Sequence, residues 1–411
     1  MIDLTAHIRA GDRIWWSQAS AEPTPLVHAL LDQVSRIGAV SAFVGLSWDT
    51  RLTRELPPDL SISSYGALGE LRVLSKAGLL DVVPVNYSDL PALFASGTLP
   101  VDVGIVQVSA PDEDGYCSLG VGVDYVADAI GHTRVILAEI NRRMPPTIGT
   151  PRIHLSRFAA FVETDRPLAE APLVEPSDVE RAIGRHVAGL IENGDTLQIG
   201  VGALPTAVLD ELGGHTDLGI HSGMISDGVA ALIDSGTITG ARKEIDTGLV
   251  VTGAALGSAA FYDRLPELPV QFSPASYTHS AATLSRLRSL VSINSAVEVD
   301  LTGQVNAEVR KGTYIGGIGG QSDFSRAASA TGARSIIAMR SRSGSHSTIT
   351  STVTTVTTSR ADVDFVVTEH GVADLRGQNL RQRAVRLTAI ADPAFRDGLD
   401  RAGGALAALH A

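Results

Sequence analysis

The sequence has a single cysteine, Cys117, among its 411 residues. One thiol excludes an intrachain disulfide and a metal site built from several cysteines. The eleven histidines are scattered and none falls in an HExxH spacing, so the sequence carries no metal-binding signal. The GxSxG pattern around the nucleophilic serine of α/β-hydrolases is also missing. We therefore expect no bound metal and no serine nucleophile.

Long apolar runs and runs of basic residues are missing as well. No apolar stretch reaches the roughly 18 residues that suggest a membrane-spanning helix. Charges near the N-terminus stand where a signal peptide needs an apolar core. The net charge is −12, and no Lys/Arg cluster suggests a nucleic-acid partner. We expect a cytosolic protein that holds anionic ligands with helix N-termini and glycine loops rather than with a basic field.

Strand and helix patterns alternate along the chain, which predicts an α/β fold with mostly parallel sheets. The segment Leu26–Ile37 has helical spacing. The apolar runs predicted as buried strands are Ala39–Leu46, Val101–Val108, Arg134–Glu139, Leu197–Gly200, Leu218–His221, Leu249–Thr252, Ser335–Met339 and Asp364–Thr368. A proline-rich stretch without periodicity, Arg166–Ser177, predicts a linker. A helix is expected to follow it, with Ser177 as its N-cap.

Two segments, Gly11–Leu31 and Gly194–Leu212, share one order of features. Each reads Gly-Asp, a strand, a loop of small residues, Pro-Thr and an apolar-periodic helix. This order indicates an internal duplication of one α/β unit, although two unrelated βα turns would look similar. We predict two similar α/β domains, residues 1–175 and 176–411.

Two glycine-rich segments are candidate ligand loops. Gly200–Pro205 lies between a predicted strand and a helix, where backbone N–H groups and a helix N-terminus favour an anion. A tight turn without a ligand explains it equally well. Gly316–Asp323 reads GGIGGQSD, and so many glycines cost conformational entropy. Bare N–H groups that contact a ligand or an oxyanion would explain that cost, and a flexible loop is the alternative.

Two carboxylates are candidates for acid/base or nucleophilic work. Alternation along Ser292–Glu308 places Asn294, Ala296, Glu298 and Asp300 on one strand face. A solvated face is the simpler interpretation, but Glu298 between two valines could be partly buried with a raised pKa. Glu369 follows a predicted strand at a turn, where ligands of α/β sheets collect. Surface charges at a capped turn would give the same pattern.

These segments together resemble the acetyl-CoA hydrolase/transferase family, which includes acetate-, butyrate- and 4-hydroxybutyrate-type CoA-transferases. The resemblance is carried by Gly11-Asp12 with Ala21-Glu22-Pro23, Gly122-Val123-Asp124-Tyr125, Ala138-Glu139-Ile140-Asn141 with Met144-Pro145, Phe161-Val162-Glu163 with Asp165-Arg166-Pro167-Leu168, Gly200–Pro205, Ser292–Glu308, Gly316–Phe324 and Val367–Gly377. The last three are long and specific.

The resemblance implies two similar α/β domains with the active site between them. In the family's transferases a glutamate attacks the acyl-CoA, an anhydride and then a glutamyl-CoA thioester form, and an acceptor carboxylate completes the exchange. Here the resemblance assigns the oxyanion or acyl site to Gly317, Gly319, Gly320 and Asn294. It assigns CoA contacts to Gly200, Val201, Gly202, Ala203 and Gln321, and it places Glu369 in the lining of the site.

Two positions depart from the family's pattern. Where the nucleophilic glutamate is expected, this chain reads His221-Ser222-Gly223-Met224, so the glutamate position is Gly223. Where the family often carries an asparagine-containing stretch, this chain reads Ser276-Tyr277-Thr278-His279-Ser280. A glycine cannot form a thioester with CoA.

The resemblance and the missing glutamate lead to three hypotheses. In the first, Glu298 or Glu369 replaces the nucleophile, and the protein is a CoA-transferase that uses CoA as acyl carrier and no metal. In the second, a carboxylate or His279 acts as general base, which makes a thioesterase or another acyltransferase. In the third, the protein binds CoA esters or a nucleotide without turnover. We favour the transferase, and we expect a homodimer.

Overall fold

The computed structural model describes residues 2–149, 151–172 and 174–409. Among them, the N-terminal half forms a parallel sheet of seven strands. The strands are β1 (Arg13–Trp16), β2 (Val40–Phe43), β3 (Leu60–Ser64), β4 (Leu80–Val82), β5 (Val103–Val108), β6 (Val135–Asn141) and β7 (Ala160–Thr164), in the order β7-β6-β5-β1-β2-β3-β4. The helices of this half are α1 (Thr24–Ile37), α2 (Thr50–Arg54), α3 (Leu71–Ala77), α4 (Leu90–Ala95) and α5 (Asp124–Ile130).

The C-terminal half has its own sheet of six strands within the described residues. They are β8 (Thr196–Ile199), β9 (Gly219–Ile220), β10 (Leu290–Asn294), β11 (Arg334–Ala338), β12 (Phe365–Thr368) and β13 (Gly371–Asp374), in the order β9-β8-β10-β11-β12-β13. The strands are parallel except β13, which forms a hairpin with β12. The helices are α6 (Asp178–Ala188), α7 (Ala203–Asp210), α8 (Asp227–Asp234), α9 (Ala259–Arg264), α10 (Ala275–Thr278), α11 (Ala281–Leu284), α12 (Gln321–Thr331), α13 (Leu380–Ala389) and α14 (Arg396–Leu409).

Short strands and 3₁₀ turns complete the two halves. The short pairings are Tyr116–Cys117 with Ile153–His154, Met224–Ile225 with Ala254–Ala255, Val250–Thr252 with Val270–Phe272, Val309–Arg310 with Thr313–Tyr314, Arg342–Ser343 with His346–Ser347, and Glu298–Asp300 with both Val305–Asn306 and Ile349–Thr350. The 3₁₀ helices are Leu4–Ala6, Ala19–Ala21, Tyr87–Asp89, Leu155–Arg157, Leu265–Glu267, Arg360–Asp362 and Pro393–Phe395. One short strand, Ile148–Gly149, crosses from the N-terminal half and pairs with Val270–Phe272.

The predicted strands are present, because continuous apolar runs suit parallel strands that are covered on both faces. β5 shows this pattern: all six of its residues are buried. One prediction is wrong. Asn294 and Glu298 do not share a strand, since β10 ends at Asn294 and the chain then leaves the main sheet. The backbone N–H of Val297 already bonds to the carbonyl of Asn306 (2.8 Å), in the small sheet that contains Glu298.

The two halves repeat one local arrangement at their first strands. Asp12 precedes β1 and accepts the N–H of Arg9 (2.8 Å), while Arg134, just before β6, donates to it (2.8 Å).

In the second half Asp195 precedes β8 and accepts the N–H of Glu192 (2.6 Å), while Arg334, the first residue of β11, donates to it (2.5 Å). β6 and β11 each lie two strands from the first strand of their sheet. Gly11 and Gly194, the residues before the two aspartates, both have φ near +85° (+85° and +88°). The matched positions support the duplication that the sequence suggests.

No helix in the described ranges is long and apolar enough to cross a membrane.

Candidate active site

The glycine loop, residues 316–320, crosses from the C-terminal half onto the N-terminal domain. The N–H of Ala67 donates to the carbonyl of Gly316 (2.8 Å), and the N–H of Tyr87 donates to that of Gly319 (3.0 Å). A Cβ added at Gly317 would lie 2.7 Å from the carbonyl oxygen of Tyr65. Glycine is therefore required at position 317 for two backbones to approach each other.

Where the loop meets the N-terminal domain, a cavity of about 310 Å³ opens between the halves. We call it the interdomain pocket. The N-terminal half contributes Gln18, Tyr65, Tyr87 and Asp124, and the C-terminal half contributes Gly223, His279 and the loop glycines 317, 319 and 320. The structure thus brings together five of the residues predicted from the sequence.

The glycine loop supplies unpaired donors at this pocket. The N–H groups of Gly317 and Gly320 have no hydrogen-bond partner within the described part of the chain. Such donors can stabilise the negative charge that develops on a thioester oxygen when a nucleophile attacks. The oxyanion role that the resemblance implies for these glycines stays a prediction.

A hydrogen-bond network fixes one carboxylate in the pocket. The side-chain oxygen of Gln18 accepts from the Tyr65 hydroxyl (2.8 Å) and from the N–H of Leu46 (2.8 Å). Both acceptor bonds fix the orientation of the amide. Its nitrogen then donates to the Asp124 carboxylate (2.8 Å) and to the Tyr87 hydroxyl (2.9 Å).

Asp124 is the only carboxylate among the described residues that line the interdomain pocket. It is buried at the start of α5 and also accepts the N–H of Val126 (3.2 Å). Burial raises the pKa of the Asp124 carboxyl to about 6, although the hydrogen bonds from Gln18 and Val126 act in the opposite direction. At neutral pH the group is still mostly ionised, and it is more basic than an ordinary aspartate.

Gly223 lies next to the imidazole of His279 in the pocket. A Cβ added at Gly223 would lie 2.9 Å from Cε1 and 2.9 Å from Nε2 of His279. The imidazole thus occupies the space into which a side chain at position 223 would extend. The ring is held between Tyr87 and Phe324, at centroid distances of 4.7 and 4.9 Å.

The two ring nitrogens of His279 have different surroundings. Nδ1 lies 2.8 Å from the hydroxyl of Thr278, which also lies 3.2 Å from the carbonyl of Pro274. Nε2 lies beside Gly223. Burial lowers the pKa of His279 to about 3. The imidazole is neutral at physiological pH.

The carboxylates proposed from the sequence lie elsewhere. Glu298 lines a separate cavity of about 660 Å³, whose walls carry the basic residues Arg310, Lys311, Arg340, Arg342 and His346. Glu369 accepts the N–H (2.9 Å) and the hydroxyl (2.7 Å) of Ser341 at the β12–β13 turn, outside the interdomain pocket.

Asn294 and Gln321 also lie outside the interdomain pocket. Asn294 donates to Gln198 (3.0 Å) and Ser292 (2.8 Å) at the end of β10. Gln321 starts α12 and donates to the Thr358 hydroxyl (3.2 Å). Neither side chain reaches the residues that surround Asp124.

The segment Gly200–Ala203 forms the turn between β8 and α7, where Gly202 adopts a φ of +128°. Val201 and Gly202 line a third cavity of about 460 Å³ together with part of the linker. Leu256 lines both this cavity and the interdomain pocket, so the two are neighbours.

Sequence reasoning missed Gln18, Tyr65, Tyr87 and Asp124 as site residues. In the sequence, Asp124 belongs to the Gly122–Tyr125 segment, where an acidic residue at the start of a helix is ordinary. The available signal is that this aspartate directly follows an apolar segment rich in glycine. In the described part of the chain no cluster of three or more His, Cys, Asp or Glu side chains could hold a metal.

Comparison with known proteins shows to which family the chain belongs. Residues 2–169 match the acetyl-CoA hydrolase/transferase N-terminal domain, and residues 257–402 match the acetyl-CoA hydrolase/transferase C-terminal domain. The chain belongs to the acetyl-CoA hydrolase/transferase family. The resemblance found in the sequence is confirmed.

Relatives within this family match nearly the whole chain. A 4-hydroxybutyrate coenzyme A transferase of Clostridium kluyveri is 40% identical over 96% of this chain and 94% of that protein. A butyryl-CoA:acetate CoA-transferase of Anaerostipes caccae is 32% identical over 95% and 92%. The solved structure of a 4-hydroxybutyrate CoA-transferase from Porphyromonas gingivalis shares 36% identity with a TM-score of 0.82, over 97% and 94% of the two chains.

The acetyl-CoA hydrolase/transferase family accounts for the two α/β domains, and the protein is an enzyme of the CoA-transferase/hydrolase type. That Gly223 stands at the family's glutamate position remains a prediction of the resemblance. The same holds for the roles assigned to individual site residues.

Proposed function

We propose that the protein transfers CoA between an acyl-CoA thioester and a carboxylate acceptor. The observation that carries the proposal is the convergence in one interdomain pocket of a glycine loop with unpaired N–H groups and a buried carboxylate, Asp124. CoA transfer needs both: donors for the oxyanion and a carboxylate that can form an anhydride. CoA-transferase names among the relatives add support.

In this proposal, basic residues at two places bind the two substrates. Arg72 is the only fully charged cation among the described residues that line the interdomain pocket, and it suits the carboxylate of the acceptor. The basic cavity around Lys311 suits the phosphates of CoA. Ile315 lines that cavity and lies two residues before Gly317, so the cavity and the pocket adjoin along the glycine loop.

The Gly200–Ala203 turn is proposed to contact the pantetheine arm. Val201 packs with Leu256 and Ala254, which line the interdomain pocket. In this proposal Gln321, at the start of α12, contacts CoA from the other end of the glycine loop. CoA serves as substrate and acyl carrier, without a metal, and the enzyme acts as a homodimer in the cytosol.

Mass spectrometry of CoA species tests the function. The enzyme is incubated with a panel of short acyl-CoAs, each with and without acetate. We expect acetyl-CoA to appear only when acetate is present, in amounts equal to the acyl-CoA consumed. Free CoA formed equally well without acetate would show that the reaction is hydrolysis and not transfer. CoA bound without any turnover would refute an enzymatic role for the purified protein.

A further inference from the structure

Resting on the proposed CoA transfer, we propose that Asp124 is the covalent nucleophile of this enzyme. It takes the place of the glutamate that Gly223 cannot supply. The sequence-based hypothesis of a relocated carboxylate named Glu298 and Glu369, whose side chains lie outside the interdomain pocket. Asp124 lies inside it.

The backbones of Asp124 and Gly223 are tied to the same residue. Gly253 accepts the N–H of Asp124 (3.0 Å) through its carbonyl and donates its own N–H to the carbonyl of Gly223 (3.2 Å). A Cβ added at Gly253 would lie 3.3 Å from the Cβ of Asp124 and 3.0 Å from the carbonyl oxygen of Gly223. A side chain from position 124 therefore enters the pocket from a point next to position 223.

The surroundings of Asp124 suit a nucleophile. Gln18 holds one carboxylate oxygen, and the same amide is linked through Tyr87 to the carbonyl of Gly319. Tyr87 therefore contacts both the amide that holds the carboxylate and the glycine loop. No cationic side chain bonds to Asp124 among the described residues, so its negative charge is not neutralised by an ion pair.

The reaction balances without a proton transfer. An oxygen of Asp124 attacks the thioester carbon, a C–O bond forms, the C–S bond breaks and CoA leaves as a thiolate. The thiolate attacks Cγ of Asp124, which releases the donor acid as a carboxylate and leaves an aspartyl-CoA thioester. The acceptor carboxylate attacks this Cγ and expels the thiolate. The thiolate then attacks the acceptor carbonyl, which forms the new acyl-CoA and regenerates Asp124.

Borohydride trapping tests this assignment directly. Wild-type enzyme is mixed with an acyl-CoA in the absence of acceptor and then treated with sodium borohydride, which reduces a thioester but not a free carboxylate. We expect reduction of Asp124 to homoserine, located by peptide mass spectrometry, together with loss of transferase activity. Transfer in the untreated enzyme without reduction at position 124, or with reduction at another carboxylate, would overturn the assignment. Absence of transfer in the untreated enzyme would instead refute the proposed function.

Two matched variants separate a nucleophile from a positioning residue. Asp124→Asn keeps the size and the hydrogen-bonding shape and should reduce kcat at least about a thousand-fold, as loss of other covalent nucleophiles does. Asp128→Asn alters a half-buried carboxylate one turn later on α5 that bonds to the N–H of Ser276 (3.1 Å), and it should keep near wild-type turnover. Asp124→Asn with unchanged thermal stability and substantial kcat would contradict the proposal.

Discussion

At residue scale, the contact between Gly223 and His279 makes two positions interdependent. A side chain at 223 cannot be added while the imidazole stays in place, because its Cβ would lie 2.9 Å from two ring atoms. The ring has little room to move, since a Cβ at Gly320 would lie 2.5 Å from its Nε2. Introducing a glutamate at position 223 therefore requires a second change.

We predict that Gly223→Glu alone destabilises the protein by about 1–3 kcal/mol through overpacking. Combined with His279→Ala, the new carboxylate should fit the pocket. Built into the inactive Asp124→Asn enzyme, the double change should restore CoA transfer, and Gly223→Glu alone should not. Rates of acetyl-CoA formation are compared in three proteins: Asp124→Asn, Asp124→Asn with Gly223→Glu, and Asp124→Asn with both Gly223→Glu and His279→Ala. Equal inactivity of all three would show that position 223 does not face the acyl carbon.

The buried imidazole of His279 also predicts a pH effect on stability. Its pKa is about 3 in the folded protein, below the ordinary 6.5. As the pH falls below about 6.5, His279 becomes protonated in the unfolded chain but not in the folded protein. The free energy of unfolding therefore decreases on acidification. Buried carboxylates such as Asp124 have raised pKa values and contribute with the opposite sign.

Comparison of wild type with His279→Asn isolates this contribution. Free energies of unfolding from urea titrations at pH 7.5 and pH 5.5 should fall less on acidification in the variant than in wild type. Identical losses in both proteins would mean that His279 is protonated in the folded state or is exposed.

At the scale of elements, the glycine loop depends on close backbone contact. Gly317→Ala should weaken both stability and catalysis, because the new Cβ would lie 2.7 Å from a carbonyl of the N-terminal domain. We expect a loss of about 1–3 kcal/mol, a melting temperature lower by several degrees and slower transfer.

Gly214→Ala is the matched control, since nothing lies within 4 Å of a Cβ at that exposed turn. Calorimetric melting temperatures and steady-state transfer rates of both variants test this prediction. A Gly317→Ala enzyme as stable and fast as the control would mean that the loop does not need its contact with Tyr65.

Much of this organisation is readable in the sequence, and the reasons for success and failure are physical. Apolar runs such as Val101–Val108 predict strands because both faces of a parallel sheet are covered. The glycine loop stands out as a candidate ligand loop in the sequence alone, since so many glycines cost conformational entropy. The N-terminal residues that contact this loop are determined by how the two sheets pack against each other. A local sequence pattern cannot predict that packing. Asp124, Gln18, Tyr65 and Tyr87 come from four separate segments, so their convergence required the fold.

The course of Ser292–Glu308 shows a different limit of sequence reasoning. Alternation of polar and apolar residues predicts one continuous strand, but the chain leaves the sheet after Asn294. After leaving the sheet, the chain pairs with Ile349–Thr350, which lies about 50 residues away in sequence. Periodicity within a short segment cannot reveal a strand partner so far away in the sequence.

At the scale of the whole molecule, we propose that the two domains divide between residues 175 and 176. The linker before this point is attached to the C-terminal half: the N–H of Ala171 donates to the carbonyl of Gly257 (3.0 Å), and Tyr262 donates to the carbonyl of Ala169 (3.1 Å). Val174 is half exposed, so cleavage there is feasible.

A protease recognition segment inserted after Glu175 should allow cleavage without separation of the halves. The pairing of Ile148–Gly149 with Val270–Phe272 and the docked glycine loop cross the cut. We expect the nicked protein to elute as one particle in size-exclusion chromatography and to dissociate only in denaturant. Elution of two separate fragments in buffer would show that these contacts are too weak to join the domains without the linker.

The docking of the glycine loop has a consequence for how the enzyme is made. Translation proceeds from the N-terminus, and domains generally fold as they emerge. The surface around Tyr65 and Tyr87 is therefore finished before residue 316 is synthesised. The N-terminal domain therefore presents a folded surface to a loop that is synthesised later. A nascent chain that stops short of residue 316 contains most of the residues that line the interdomain pocket but lacks the glycine loop that completes it.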